Sequence, residues 1–332
     1  MITVHVGLHK TGSSSIQLAL EHSSHRSWVC VPRPGHAINE AGIAEQLSRL
    51  PSNGVMSDEN LLGSPFDGYQ AIERRLEAIR AAVSGRPFRI VAFVRPQLDW
   101  LQSLYIQAIQ QGKTDLPGDF VSQVTASPWI DWLRMLELLE DASGASEICI
   151  RPYVPSVDIV PEFFSIAQVP LGGYSPERMG RQNPSMTPRR AMLMRALNAG
   201  GWLASDETRH LRAFLQGLGK DSDRRAESVF PADVQDLIRS RYEGAWARLS
   251  VSQRLSPQSR QAFAQVAADV DWSPSPWVGA DLTSPPLAEE GLRLIAQQNR
   301  QQILSNRTAT GLPAPLRRSI ARLKRVARRL RP

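Results

Sequence analysis

A lysine, two glycines and three hydroxyl side chains lie together near the start of the chain, in Gly7–Ser14 (GLHKTGSS). An apolar strand is predicted before this segment, and a helix is predicted to begin at its serines. Such a junction directs backbone N–H groups and the positive end of a helix dipole at one point. These groups favour an anion, so the segment predicts a phosphate-binding loop. A plain strand-to-helix turn with serine caps and a solvated lysine is the alternative.

The position of Lys10 distinguishes this loop from the nucleoside-triphosphate P-loop. That motif reads G-x-x-x-x-G-K-[ST], with the lysine after the last glycine and a hydroxyl that holds magnesium. Here Lys10 comes before Gly12, so its ammonium is expected at the front of the loop. The pattern is therefore not a Walker motif.

A second group with phosphate-binding chemistry follows the strand predicted over 88–94 (FRIVAFV). Arg95 ends this strand, Pro96 suits the first turn of a helix, and Ser103 lies about two turns further on. Open α/β sheets bind ligands at the carboxyl ends of their strands. A guanidinium and a hydroxyl at that edge fit a phosphate monoester. Residues at helical spacing in the same segment are predicted to be core: Trp100, Leu101, Leu104, Tyr105 and Ala108.

A third polar segment, Ser57–Leu61 (SDENL), ends another short strand. A carboxylate in such a crevice acts as a general base if its pKa rises toward the working pH. The alternative is a capped turn, in which Ser57 or Asp58 accepts hydrogen bonds from nearby N–H groups and Glu59 is exposed.

Lys10–Gln17 (KTGSSSIQ) closely resembles the 5′-phosphosulfate loop of the sulfotransferases that use 3′-phosphoadenosine 5′-phosphosulfate. The bacterial branch commonly has Thr-Thr in place of Ser13 and Ser14, and both departures keep the hydroxyl. The family also has an Arg at a strand end and a Ser eight residues later, which Arg95 and Ser103 match. The resemblance implies that this Arg and Ser bind the 3′-phosphate of the donor. It implies that the 5′-phosphosulfate is bound by Lys10, Thr11, Gly12, Ser13 and Ser14.

The resemblance also implies a mechanism without a metal. Lys10 would stabilise the charge that grows on the bridging oxygen as the nucleotide leaves. Bacterial members often have a Ser-x-Glu-Asn-Leu stretch, which makes Glu59 the first candidate for the base that takes the acceptor's proton. Cytosolic animal members use a histidine, so His36 is the alternative base, and His9 ranks third.

Two further segments resemble donor-site or acceptor-site elements of the family. Tyr153 follows the strand predicted over 146–150, where related enzymes often have a tyrosine near the adenine; a half-buried core tyrosine is the alternative. Arg181 and Asn183 lie in a segment similar to one with Asn-x-Ser in bacterial members. A polar loop that caps the next helix explains the same two residues.

The order of predicted elements favours an α/β fold with a doubly wound parallel sheet, because strand and helix patterns alternate. The strands are predicted at about 2–6, 28–32, 54–57, 88–94 and 146–150. Beyond residue 187 the pattern becomes helical and includes a Pro/Trp-rich connector over 271–286. The predicted divisions are an α/β core with a P-loop-like loop over 1–187, a helical extension over 188–311 that covers the acceptor site, and a basic tail over 312–332.

The basic tail accounts for the formal net charge of +7. Eight of the 39 basic residues and none of the 32 acidic ones lie in 312–332, so the rest of the chain, with 31 basic residues, is nearly neutral. Its apolar residues form one helical stripe, as in helices that lie on anionic membranes. A solvated tail, or a helix docked on the protein itself, is the alternative. Nucleic acid is disfavoured, because no accompanying fold or aromatic pattern would read bases.

Composition is consistent with an intracellular enzyme of 332 residues, 42% of them hydrophobic and 21% charged. Cys30 and Cys149 fall in predicted strands and fit no metal spacing, so we expect buried, reduced thiols. No signal segment or membrane-spanning run is evident, which favours a cytoplasmic protein, peripheral on the inner membrane face if the tail binds lipid.

The function predicted on these grounds is transfer of a sulfuryl group to a hydroxyl or amine. The expected acceptor is a small molecule, a lipid or a glycan, and the basic tail is the reason to include a lipid or a membrane-linked glycan. Two other classes stay open: a nucleotide-dependent phosphotransferase, and a catalytically silent, membrane-associated nucleotide-binding protein.

Overall fold

The computed structural model describes residues 1–23, 27–30, 39–171, 186–199, 212, 215 and 227–278. The chain divides into two compact units, each assembled from separate stretches of sequence. The first comprises Met1–Leu104, Phe120–Gln182 and Asp236–Ser273, and the second comprises Tyr105–Asp119, Asn183–Gln235 and Pro274–Pro332. Residues 236–273, predicted within the helical extension, thus group with the sheet.

The first unit contains a parallel sheet of five strands in the spatial order β2-β3-β1-β4-β5. The strands are β1 (Ile2–Val6), β2 (Trp28–Cys30), β3 (Val55–Asp58), β4 (Phe88–Val94) and β5 (Glu147–Pro152). Each lies where the sequence predicted a strand. The α/β fold with a parallel sheet is therefore confirmed.

Helices connect the strands, as a parallel sheet requires. Ten α-helices lie in the described residues: α1 (Ser13–His22), α2 (Glu40–Ser48), α3 (Ile72–Ala82), α4 (Gln97–Gln110), α5 (Pro117–Thr125), α6 (Trp132–Ser143), α7 (Ile159–Ala167), α8 (Pro188–Ala199), α9 (Ala232–Leu249) and α10 (Pro257–Val266). Three 3₁₀ turns accompany them, at Pro65–Asp67, Pro128–Ile130 and Ala267–Asp269.

Both faces of the sheet are buried, because every residue of β1 and β4 is buried, including the polar Thr3, His5 and Arg89. Helices α1 and α7 cover one face, where Ile16 and Phe163 pack with Val91 and Phe93 of β4. On the opposite face Val4, Met56, Ile90 and Ile150 are also fully or almost fully buried.

The core residues predicted in α4 are confirmed, because Trp100, Leu101, Leu104, Tyr105 and Ala108 are at most 1% exposed. Cys149 is a buried free thiol in β5, as predicted. Its burial, with the nearby Glu147 carboxylate, raises its pKa to about 12, so the thiol is protonated and unreactive at neutral pH. Cys30 lies in β2.

The second unit is held by side chains that bind backbone carbonyls. Arg195 of α8 donates to the carbonyls of Thr114 and Asp115 at 2.7 and 2.8 Å, and Asn198 donates to that of Ile109 at 2.8 Å. Helices α8 and α9 occur where the sequence predicted helices. Most of the remaining extension, the second half of the connector (279–286) and all of the tail over 312–332 lie outside the described residues.

Within the described residues, no helix is both long enough and apolar enough to cross a membrane.

Candidate functional site

The loop between β1 and α1 is closed by contacts that require its glycines. Gly7 donates its N–H to the carbonyl of Asp58 at 3.1 Å, and a Cβ there would overlap the side chain of Ser13. Gly12 has φ +80, in the left-handed region that glycine adopts without strain. The N–H groups of Ser15 and Ile16 donate to the Gly12 carbonyl, so the helix begins directly after this glycine.

The hydroxyls of this loop have different surroundings. Thr11 is fully buried and donates its hydroxyl to the carbonyl of Leu8, which tightens the turn. Ser13 is 3% exposed, and its Oγ has no hydrogen-bond partner within the described part of the chain. Burial of a hydroxyl without a hydrogen-bond partner costs free energy on folding, and a ligand oxygen at the helix N-terminus would supply that partner. Ser14, next in the helix, is partly exposed.

Lys10 adopts φ +64, unusual for a residue with a side chain, in the turn between Leu8 and Gly12. Its ammonium lies near two titratable groups, because its charge lowers the pKa of both His9 and Glu59. The loop and the end of β3 therefore meet around the Lys10 side chain.

The turn after β3 combines parts of both predictions for that segment. Asp58 Oδ1 accepts a hydrogen bond from the N–H of Asn60 at 2.9 Å, as a capping residue would. Glu59, however, is partly buried rather than exposed. Burial raises the pKa of Glu59, the neighbouring Asp58 carboxylate raises it further, and Lys10 opposes the rise. This environment brings a carboxylate closer to the range in which it exchanges protons near neutral pH.

Of the two histidines considered as alternative bases, the structure describes His9 and not His36. His9 is 6% exposed, and burial together with the Lys10 charge lowers its pKa to about 4. It is thus neutral near pH 7 and a weak base, consistent with its third rank. His36 lies outside the described residues, as do Arg181 and Asn183.

Arg95 follows the last residue of β4, and its guanidinium is held on three sides. Nη1 donates to Ser103 Oγ at 2.9 Å, and Nη2 lies 3.6 Å from Asp99 Oδ2. The guanidinium carbon also lies 5.9 Å from the centre of the Tyr153 ring, within cation–π range. The predicted pairing of Arg95 with Ser103 is therefore present in the geometry.

Tyr153 joins the two predicted phosphate-binding groups. Its N–H donates to the Val94 carbonyl at 2.6 Å, which places it beside the end of β4. A Cβ on Gly12 would come within 3.0 Å of its Cε2, so the ring lies against the β1–α1 loop as well as near Arg95. Tyr153 is half-buried and packs against the hydrophobic core, as the alternative interpretation predicted, and it also lies near Arg95 at the strand edge.

The sheet order explains why these groups meet at one edge. β1 and β4 are neighbours, but the chain leaves β1 toward β2 on one side and leaves β4 toward β5 on the other. Such a reversal opens a crevice outside the carboxyl ends of the two strands, where open α/β sheets bind ligands. The β1–α1 loop and Arg95 border this crevice, and Glu59 and Tyr153 flank it from β3 and β5. Together they offer an anion site with a nearby base.

Two residues with a direct link to this edge were not recognised as such from the sequence. Trp100 donates its indole N–H to the His9 carbonyl, and Trp132 donates its own to the Arg95 carbonyl, both at 2.7 Å. The available signal was chemical: a buried indole N–H usually finds an acceptor, although spacing alone could not identify which one.

An open cavity of about 670 Å³ lies elsewhere in the first unit. Its lining comprises Pro128, Trp129, Asp131, Leu133, Arg134, Glu137, Leu138, Asp141 and Arg248. None of the candidate site residues borders it.

The part of the chain that the structure describes contains no group of three or more His, Cys, Asp or Glu side chains arranged to bind a metal ion.

Comparisons of the chain with protein-family models, curated proteins and solved structures gave no match. The assignment of a function must therefore rest on the site itself.

Proposed function

We propose that this protein is a sulfotransferase that moves a sulfuryl group from 3′-phosphoadenosine 5′-phosphosulfate to a hydroxyl or amine of an acceptor. The main support is the arrangement around Tyr153, whose ring lies close to Gly12 of the β1–α1 loop and within cation–π range of the Arg95 guanidinium. A donor with phosphate groups at the 3′ and 5′ positions of its ribose needs two anion sites, and the β1–α1 loop and Arg95 would each supply one. The resemblance of both segments to sulfotransferase motifs agrees with this assignment.

The residues at the edge fit the donor chemically. The start of α1 and the unpartnered Ser13 hydroxyl would bind the 5′-phosphosulfate, as helix N-termini bind anions. Thr11, whose hydroxyl is used within the loop, would contribute its backbone N–H. Arg95, oriented by Ser103, would bind the 3′-phosphate, and Tyr153 would contact the nucleoside.

The transfer itself needs a proton acceptor and a stabilised leaving group. The acceptor's oxygen or nitrogen forms a bond to sulfur while the bond from sulfur to the bridging oxygen of the 5′-phosphate breaks. Glu59 takes the proton of the acceptor, and Lys10 stabilises the negative charge on the departing oxygen. Because that charge is largest in the transition state, Lys10 contributes more to turnover than to donor binding.

The acceptor and location belong to the same proposal. A basic amphipathic segment over 312–332 would hold the protein on the anionic inner face of the membrane, where a lipid or a membrane-linked glycan is available. Turnover of acceptors in anionic vesicles should fall when 312–332 are removed, whereas turnover of a short-chain acceptor in solution should not change.

The first test is calorimetric binding of adenosine 3′,5′-bisphosphate without metal. Wild type should bind with micromolar affinity, and Arg95→Ala should bind at least about 10-fold more weakly, because hydrogen bonds to a charged group are lost. Arg49→Ala is the matched control, since its side chain is 75% exposed and its ion pair is with Glu45, one helical turn earlier. Absence of binding, together with affinity for magnesium–ATP, would show a phosphotransferase instead.

A further inference from the structure

Two buried tryptophans, one in α4 and one in α6, donate hydrogen bonds to the two proposed anion-binding segments, which are the β1–α1 loop and Arg95. Trp100 donates its indole N–H to the carbonyl of His9, the residue before Lys10, at 2.7 Å. Trp132, the first residue of α6, donates its indole N–H to the carbonyl of Arg95, also at 2.7 Å. Each indole therefore holds the backbone of one of the two segments.

The two indoles also hold each other. Their ring centres are 5.3 Å apart and their planes meet at 85°, the edge-to-face arrangement that aromatic pairs prefer. Tyr69 also stacks on Trp100, with ring centres 6.4 Å apart. Trp100 and Trp132 are 0% and 1% exposed, so neither ring can turn away without opening the core.

Burial alone does not produce such hydrogen bonds in this protein. Trp246 is 3% exposed and packs edge-to-face on Phe263, with ring centres 5.3 Å apart. Its indole N–H nevertheless has no hydrogen-bond partner within the described part of the chain. The donation by Trp100 and Trp132 to carbonyls at the site edge is therefore a distinguishing feature of this pair.

We infer that the Trp100–Trp132 pair fixes the spacing between the β1–α1 loop and Arg95, and so selects a nucleotide that has phosphates at both the 3′ and the 5′ positions. This inference rests on the proposed function and identifies the residues that determine its nucleotide specificity. The two tryptophans are positioning residues, because they act through the His9 and Arg95 carbonyls and do not contact the ligand.

Selection follows from the energetics of a ligand with two charged ends. Once one phosphate is bound, the second binds without a further loss of translational freedom, provided that its site lies at the matching distance. A pair of segments that drift relative to each other keeps both sites but loses this advantage. A ligand with a single phosphate is insensitive to the spacing.

The test measures three ligands against Trp100→Phe and Trp132→Phe, which keep an aromatic ring and remove the indole N–H. The ligands are adenosine 3′,5′-bisphosphate, adenosine 5′-monophosphate and adenosine 3′-monophosphate, measured by calorimetry or by competition. Each variant should bind the bisphosphate about tenfold more weakly, the loss expected for one hydrogen bond. Both monophosphates should bind within about twofold of wild type.

Trp246→Phe is the matched control, because it removes a buried indole N–H that has no hydrogen-bond partner among the described residues. It should lower thermal stability no more than the other two substitutions do, because no hydrogen bond is lost, and it should leave all three affinities unchanged. An equal loss for bisphosphate and monophosphates in Trp100→Phe and Trp132→Phe, or no loss at all, would overturn the inference. Wild type that fails to bind the bisphosphate would instead refute the proposed function.

A wild-type measurement covers the case in which the Phe variants do not fold. With ¹⁵N-labelled indoles, the Nε1–H resonances of Trp100 and Trp132 should shift more on adding the bisphosphate than on adding either monophosphate, and the Trp246 resonance should not shift. Equal shifts of Trp100 and Trp132 with all three ligands would contradict the inference.

Discussion

Arg95 Nη1 donates a hydrogen bond to Ser103 Oγ at 2.9 Å. Arg95 directly follows β4, and Ser103 lies in the middle of α4. The hydroxyl thereby fixes one edge of the guanidinium, while Asp99 and the Tyr153 ring lie on other sides. A guanidinium held in one orientation loses less conformational entropy when it binds a phosphate.

We expect Ser103→Ala to weaken the binding of adenosine 3′,5′-bisphosphate by about 3- to 10-fold, and Arg95→Ala to weaken it by about 10- to 100-fold. Removal of the hydroxyl leaves the charge in place but releases the guanidinium, whereas removal of arginine eliminates the charge. Calorimetry of both variants measures the difference.

The ligand that distinguishes this assignment is adenosine 5′-monophosphate. Its affinity should be unchanged in Arg95→Ala, because the 3′-phosphate is absent. If Arg95→Ala weakened binding of the 5′-monophosphate as much as that of the bisphosphate, Arg95 would not be the 3′-phosphate ligand.

The sequence was sufficient for the parts of the site that depend on local patterns. An apolar run followed by Arg95, and a turn signal followed by Glu59, place both residues at strand ends, because strands and their termini are short-range features. Arg95 directly precedes a predicted helix and Ser103 lies about two turns further on, so their approach followed from helical geometry.

The remaining parts depend on contacts between distant residues. Trp100 and its acceptor His9 are 91 positions apart, and no spacing rule joins them. Arg151 donates to Ser259, 108 positions away, which helps to explain why α10 groups with the sheet rather than with a helical extension. The partial burial of Glu59 likewise depends on which elements pack around the turn.

Lys10 provides a test that separates stability from catalysis. Glycine adopts φ +64 without strain, so Lys10→Gly should keep the free energy of unfolding within about 1 kcal/mol of wild type. The same substitution should lower kcat by at least about 100-fold, because the bridging oxygen loses its positive partner. Steady-state kinetics and chemical unfolding of one preparation measure both quantities.

Affinity for adenosine 3′,5′-bisphosphate should fall much less than kcat in Lys10→Gly. A loss of kcat with an equal loss of donor affinity would show that Lys10 is a general anchor for the nucleotide rather than a group that acts in the transition state.

The pH dependence should report the Glu59 carboxyl. A general base acts when ionised, and burial and the Asp58 carboxylate raise the pKa of Glu59. The plot of kcat/KM against pH should therefore have a rising limb whose midpoint lies above the ordinary glutamate pKa of about 4.3. Asp58→Asn removes the neighbouring negative charge and should move this limb to lower pH, while Glu59→Gln should abolish it. Asp236→Asn, on the surface beside Arg239, is the control and should leave the limb in place.

Stability should respond to pH through the same two groups. The pKa values of Asp58 and Glu59 are both raised in the folded state, so their contribution is most favourable below the unfolded values and is lost as pH rises through the folded values. Asp58→Asn should therefore reduce the decrease in unfolding free energy on going from about pH 4 to pH 7. An unchanged difference would show that Asp58 is not destabilised by burial.

Gly12 and Gly85 form a matched pair for testing the contact between the β1–α1 loop and Tyr153. Both have positive φ, +80 and +73, but a Cβ on Gly85 meets nothing within 4 Å. A Cβ on Gly12 would overlap Ile159 and approach Tyr153 Cε2 to 3.0 Å. Gly85→Ala should cost about 1 kcal/mol of stability, from backbone strain alone.

Gly12→Ala should lower the free energy of unfolding by about 1–3 kcal/mol more than Gly85→Ala does, because the overlap forces the loop or α7 to shift. It should also weaken the binding of adenosine 3′,5′-bisphosphate, since the ring of Tyr153, which is near both Gly12 and Arg95, would have to move. Chemical unfolding and calorimetry of the two variants give both differences. Equal stability losses in Gly12→Ala and Gly85→Ala would mean that the loop does not pack on Ile159 and Tyr153 in solution, and the two anion-binding segments would then lack this connection.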